Sequence, residues 1–163
     1  MDEKMKDTTE KKEWVDWVSA KILQKAVVVD EVGNMLTIKR AVDRPGARPG
    51  KWDLPGGSLS PEDFSQNQQN PNELAIGREI MEETKLEATE IKVVHAESGV
   101  KKTKSSGDVL FLALGYKCIV KGIKPPVILS EEHTEFSWVN KQELQNTDFG
   151  EDGGFHKRIV DAS

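Results

Sequence analysis

Cysteine is almost absent from this chain: Cys118 stands alone among 163 residues. That excludes a disulfide framework and a cysteine-based zinc site. The three histidines, His95, His133 and His156, are too far apart to make a metal-ligand motif. No apolar run approaches the roughly 20 residues needed to span a bilayer. Residues 1–12 are charged and lack the apolar core of a signal peptide. Long basic runs are missing too, and the net charge is −5. A general binder of duplex DNA or RNA would carry a basic face, so that class is disfavoured. A small anionic substrate stays open, because bound metal ions reverse a local field. The expectation is a soluble, cytoplasmic protein with no membrane and no duplex nucleic acid among its partners.

What the chain does have is acid at helical spacing. In Arg78-Glu79-Ile80-Met81-Glu82-Glu83-Thr84-Lys85-Leu86, three carboxylates fall within five residues, behind a Leu54-Pro55-Gly56-Gly57 turn. At about 100° per residue, Glu83 lies about +40° and Glu82 about −60° from Glu79. Like charges so placed repel and destabilise a helix. A cation held against them removes that cost, and hard divalent ions such as Mg²⁺ or Mn²⁺ take oxygen ligands and bridge to phosphates.

The length predicts one domain with a real core, spanning 13–163 after a disordered or frayed segment at 1–12. Residues 13–24 carry Trp14, Trp17, Val18 and Ile22 at spacings that suit either a helical turn or a strand. The two tryptophans stack a base, or, more often for such aromatics, pack on the domain or on a second copy of the chain, which makes a homodimer a candidate partner arrangement. Residues 25–30 and 35–40 read as a hairpin around Glu31-Val32-Gly33-Asn34. A Pro/Gly-rich loop follows, with Arg40, Arg44 and Arg48 in or beside it; they are phosphate candidates, though solvated loop arginines are commoner. Trp52-Asp53-Leu54 is a brief strand. Residues 62–72 hold a polar, Gln/Asn-rich insertion.

Beyond the insertion, Asn72 predicts an N-cap, and Leu74, Ile76, Ile80 and Met81 form the apolar flank of the acidic helix. Residues 90–97 predict a strand and 101–107 a basic loop. Residues 108–120 are apolar on both faces, which suits a strand in the middle of a sheet, with Cys118 as inert core. Val127 to Leu129 make a short apolar segment. A strand at 136–139, a helix start at 141–144 and a last helix from Gly153-Gly154 through Val160 complete an α/β or α+β domain. Its helices lie on both sides of a mixed sheet.

These residues resemble the Nudix box, written Gly-x5-Glu-x7-Arg-Glu-U-x-Glu-Glu-x-Gly-U with U a bulky aliphatic. Gly57 and the run from Arg78 to Leu86 carry the likeness. The hairpin ending Ile38-Lys39-Arg40, the Trp52-Asp53-Leu54-Pro55-Gly56-Gly57 lead-in, and Glu132-His133 before Phe136-Ser137-Trp138-Val139 resemble MutT-type Nudix hydrolases. The likeness runs over residues 25–144. It implies a Nudix-type α/β/α sandwich with a central mixed β-sheet. It also implies hydrolysis of a pyrophosphate bond in a nucleoside diphosphate linked to another moiety, with Mg²⁺ or Mn²⁺. A nucleoside triphosphate cleaved to monophosphate and pyrophosphate is the preferred small-molecule substrate. Carried over by position, Glu79, Glu82 and Glu83 are the metal carboxylates, and the Gly57 carbonyl adds a ligand. Arg78 orients a glutamate, and Glu132 supplies a further ligand or the general base, with Glu131 beside it. Arg40 and Trp52 are substrate-contact candidates, and His133 is read as structural.

There are two departures from the pattern. The box expects glutamate six positions after its glycine, which falls on Asp63, and arginine eight positions later; Arg78 comes fifteen after Asp63, an excess of about seven residues. Glu62, Asp63 and Glu73 are therefore alternatives for the first box glutamate. Lys85 replaces the glycine that ends the helix, so it either takes a left-handed conformation or the helix ends differently. The rival to an enzyme is a non-catalytic Nudix-fold module that binds a nucleotide or a protein. Such a module is expected to lose box carboxylates, and this chain keeps all three.

Overall fold

β-branched runs make the strands, and their alternation assigns each face. The computed structural model describes residues 19–44, 48–64, 69–103, 107–150 and 153–163. Residues 1–12, Trp14 and Trp17 lie outside that set, as do 65–68 within the polar insertion. Among the described residues, six strands form one sheet: β1 (Ala20–Val29), β2 (Met35–Arg40), β3 (Trp52–Asp53), β4 (Ala88–Thr103), β5 (Gly107–Val120) and β6 (His133–Val139). The order is β3-β2-β1-β5-β4, with β6 also on β2. β1 runs parallel to β5, from Ala20 opposite Leu110 to Val29 opposite Ile119, and the other pairs are antiparallel. The sheet is mixed, and β5 sits inside it between β1 and β4, as its two apolar faces require.

The period of two in β1 splits the core into two layers. Ala26 and Val28 face α1 (Pro71–Thr84) with Leu36, Ile38, Ile76, Ile80, Tyr116 and Cys118. Val27 and Val29 face α2 (Lys141–Gln145) and α3 (Gly154–Ala162) with Met35, Leu54, Leu144, Phe149, Ile159 and Val160. Helices therefore cover both faces, giving the expected α/β/α sandwich. Burial pushes the Cys118 thiol up to about 12, so it is inert core. No helix among the described residues is long and apolar enough to cross a membrane.

Three local expectations are corrected. β4 continues through Thr103 and β5 opens at Gly107, so 101–103 are strand, not loop. The backbone of these residues is satisfied by pairing across the hairpin, Lys101 opposite Val109 and Lys102 opposite Asp108. The helix starts two residues early: its cap is Asn70, in the left-handed region at φ 56 and with no side-chain cap bond, which lets Pro71 open the helix at a position where its missing N–H costs nothing. The apolar flank is also rotated. Ile76 and Ile80 are buried, but Leu74 is 52% and Met81 39% exposed, while Ala75, Glu83 and Thr84 turn inward.

Candidate active site

The acidic helix is anchored at both ends. At its start, the buried Gln24 side chain donates to the Asn72 carbonyl (2.9 Å) and to the Tyr116 hydroxyl (2.8 Å). At its end, the Glu83 and Thr84 carbonyls, which have no partner within the helix, accept from the N–H groups of Ser130 and Ile128 at 3.0 Å each. This is what the apolar segment around Val127 to Leu129 does: it pads the α1 layer and caps the helix. Lys85 takes the left-handed conformation (φ 60, ψ 19), and its N–H bonds to the Met81 carbonyl. The helix thus ends as a glycine would end it, at a cost of roughly 1–2 kcal/mol for a residue with a Cβ.

The turn at 54–57 meets the inward face of α1. Gly56 donates its N–H to Glu83 Oε2 (2.9 Å), and a Cβ on Gly57 would meet Glu79 Oε2 at 2.7 Å. Both glycines let carboxylates rest against backbone. Glu83 is buried, and loss of water raises its pKa to about 7 despite the opposing Lys25 ammonium and the Gly56 N–H. Burial likewise raises Glu79, against the pull of Arg78. Glu82 is on the outside, 57% exposed.

Arg78 gathers the remaining acids. Its guanidinium reaches Glu79 (3.0 Å), Glu82 (3.0 Å) and Asp63 (3.2 Å). Of the three alternatives for the first box glutamate, Asp63 is the one in contact with Arg78. It sits in a 3-10 turn at Pro61–Phe64 and accepts from the Ser60 N–H (2.8 Å), the bond that chiefly lowers its pKa. Glu62 is exposed and Glu73 lies in the first turn of α1. A surface cavity of about 420 Å³ opens beside this cluster, lined by Ser60, Asp63, Leu74 and Arg78 among others. As placed, Glu79 and Glu82 turn to Arg78 and Glu83 to Gly56. Among the described residues no three acidic, histidine or cysteine side chains converge on one point.

The loop before β6 brings His133 to the helix. Its buried Nε2 has no hydrogen-bond partner and lies 3.8 Å from Glu83 Oε1; burial lowers its pKa and so favours the neutral ring. Glu132 is exposed, with its carbonyl accepting from the Ala41 N–H at 2.9 Å. Glu131 is paired with Arg44.

Of the three loop arginines Arg44 is exposed, as expected, but Arg40 and Arg48 are not. Arg40 (3.4 Å), Arg48 (3.1 Å) and Lys25 (2.9 Å) all meet Asp53 Oδ2, a carboxylate with no exposed surface. His156 Nε2 approaches Asp53 Oδ1 at 2.7 Å, so that nitrogen carries the proton and Nδ1 is left without a partner. Burial alone would raise Asp53, but Lys25, His156 and Arg48 hold it well below the usual carboxylate range. Trp52 is half-buried in β3 opposite Lys39, whose ammonium sits 5.7 Å from the ring centroid. Sequence reasoning missed Lys25, Asp53, His133 and His156 as neighbours of the acidic helix. The one available signal was charge: Lys25 and Asp53 interrupt otherwise apolar strand positions.

The family model for the NUDIX domain matches residues 22–160. The chain belongs to the Nudix family. Nudix hydrolases act on nucleoside diphosphate derivatives, and this chain is one of them. It is 28% identical over 130 residues to the nucleoside triphosphatase NudI of Enterobacter sp. (strain 638), covering 76% of this chain and 85% of that one. The fold is similar to the MutT protein of Methanosarcina mazei Go1 (TM-score 0.64, 21% identity, 88% and 92% covered). It is also similar to the Nudix domain of Shewanella oneidensis NrtR in complex with ADP ribose (TM-score 0.63, 14% identity, 89% and 88% covered).

Proposed function

We propose that this Nudix hydrolase uses Mg²⁺ or Mn²⁺ to cleave a pyrophosphate bond, with nucleoside triphosphates as substrates and a monophosphate and pyrophosphate as products. One observation carries the reading: Glu79 and Glu83 are desolvated against the Gly56–Gly57 turn, with Glu82 beside them on the same helix. A buried and a half-buried carboxylate with raised pKa values suit a site completed by a cation, and the donors are all oxygen, which fits a hard divalent ion. The name of the NudI relative supports the triphosphate class.

Glu79, Glu82 and Glu83 are proposed to hold the metal, with the Gly57 carbonyl as a further donor. That carbonyl already accepts from the Gln24 N–H (2.8 Å) and keeps a second lone pair. When bound, the ion would neutralise phosphate charge and acidify a water. Arg78 orients the acids by charge-assisted bonds, and Asp63 fixes Arg78 in turn. Glu132 is the proposed general base; its support is its exposed place next to His133, which borders Glu83. Arg40 acts on substrate only through Asp53 in this arrangement, and Trp52 borders the turn as a weaker contact candidate.

The test is a panel of nucleoside triphosphates, dinucleoside polyphosphates and ADP ribose with either metal, products resolved by chromatography. Release of pyrophosphate from a triphosphate supports the reading. Binding without turnover across the panel would replace it with a non-catalytic nucleotide-binding module.

A further inference from the structure

Lys25 lies outside the acidic motif, yet it touches the turn that shapes it. Its side chain is 14% exposed, and its ammonium donates to Asp53 Oδ2 (2.9 Å), the Leu54 carbonyl (2.9 Å) and the Gly56 carbonyl (3.3 Å). An ammonium has three protons, and three acceptors surround this one. The neighbouring backbone completes the pattern. Ala26 N–H donates to the Pro55 carbonyl and Gln24 N–H to the Gly57 carbonyl, both at 2.8 Å. Every carbonyl from 54 to 57 is therefore held by one of three consecutive residues in β1.

Gly56 is the hinge of this arrangement. Its φ of 138 and its close approach to β1, where a Cβ would strike the Gln24 carbonyl, leave it no other residue type. Its carbonyl is held by Lys25 and its N–H holds Glu83. One residue thus separates the lysine from a proposed metal carboxylate.

We infer that Lys25 is a positioning residue for the acidic face of α1: by fixing the 54–57 turn it aims the Gly56 N–H at Glu83 and seats Gly57 against Glu79. The inference rests on the proposed metal role of those glutamates. A lysine that merely balances Asp53 would need none of the carbonyl contacts, and Arg40, Arg48 and His156 already face that carboxylate.

The experiment uses the full chain with Lys25→Gln and Lys25→Arg. Arginine keeps the charge beside Asp53, but its longer side chain and planar fork replace the compact three-way geometry of the ammonium; it serves as the folded control where Lys25→Gln does not fold. Two quantities are read: the Gly56 amide proton shift by NMR, without metal, and Mn²⁺ affinity by electron paramagnetic resonance. Expected results are an upfield move of the Gly56 amide in both variants, as its bond to Glu83 lengthens, and a roughly 10–100-fold loss of Mn²⁺ affinity, the usual effect of disturbing what holds a ligand. A Gly56 amide unchanged in folded Lys25→Arg, or wild-type Mn²⁺ affinity in that variant, overturns the inference. If the wild type itself binds no Mn²⁺, the metal reading fails, while the amide shift still decides what Lys25 does.

Discussion

The Gly56 N–H sits 2.9 Å from Glu83 Oε2, joining the 54–57 bend to α1 across 27 residues of chain. That bond reaches a carboxylate that is otherwise buried away from water. It explains why α1 turns an acid inward where an apolar flank would be the simpler choice. A neutral carboxyl or a carboxylate with a cation both fit there; a bare carboxylate is strained.

A pH dependence follows. Glu83 has a folded pKa of about 7 against an ordinary 4.5. Between those values the folded protein keeps a proton that the unfolded chain releases. Metal-free stability therefore falls as pH rises from 4.5 to 7 and levels off above, by on the order of 3 kcal/mol at most. Glu83→Gln removes this slope. With Glu83 in its proposed metal role, Mn²⁺ is expected to raise the melting temperature more at pH 8 than at pH 5, because an ionised carboxylate is the better ligand. Thermal melts across that range with and without metal check both statements.

Asp53→Ala leaves Lys25, Arg40 and Arg48 facing one another around a fully buried gap. Breaking such a network from one side costs roughly 3–5 kcal/mol. Asp53→Asn keeps an acceptor for His156 and is expected to cost less. Chemical denaturation of both variants gives the order.

Lys85→Gly relieves a left-handed backbone at the end of α1. The expected gain is ~1 kcal/mol, or a rise of about 2–4 °C in melting temperature for a domain of this size. Lys85→Ala, which keeps the Cβ, is expected to give none of it.

Arg158 binds both oxygens of Glu97 at 2.7 Å and ties α3 to β4, with His95 2.9 Å from the same carboxylate. The Arg158 bonds, then His95, outweigh desolvation and lower Glu97 to about 2. For an acid shifted down, the stabilisation is present above pH 4.5 and is lost as pH falls toward 2. Arg158 is half exposed, so the pair is worth only ~1 kcal/mol. Arg158→Ala is expected to destabilise by that amount at pH 7 and to converge on the wild type in acid.

The acidic helix was legible because its signal is local: three glutamates and an arginine within one turn and a half. The interior place of β5 in the sheet was legible for a similar reason, two apolar faces in one run. The phase of α1 was not, since Leu74 and Met81 look like core until the 54–57 turn claims the Glu83–Thr84 side. Lys25 and Asp53 could not be paired from sequence either. They are 28 residues apart, and only the stitching of the turn onto β1 makes them neighbours. That Asp63 lies against Arg78 was not legible either, because the inserted residues break the expected spacing.

The most direct test of the central claim is phosphorus NMR of a nucleoside triphosphate incubated with the protein and Mg²⁺, alongside Glu83→Gln. The account predicts monophosphate and pyrophosphate from the wild type, none after chelation by EDTA, and at least a ~100-fold slower reaction in a folded Glu83→Gln. Equal turnover by the variant, or turnover that survives EDTA, would contradict it.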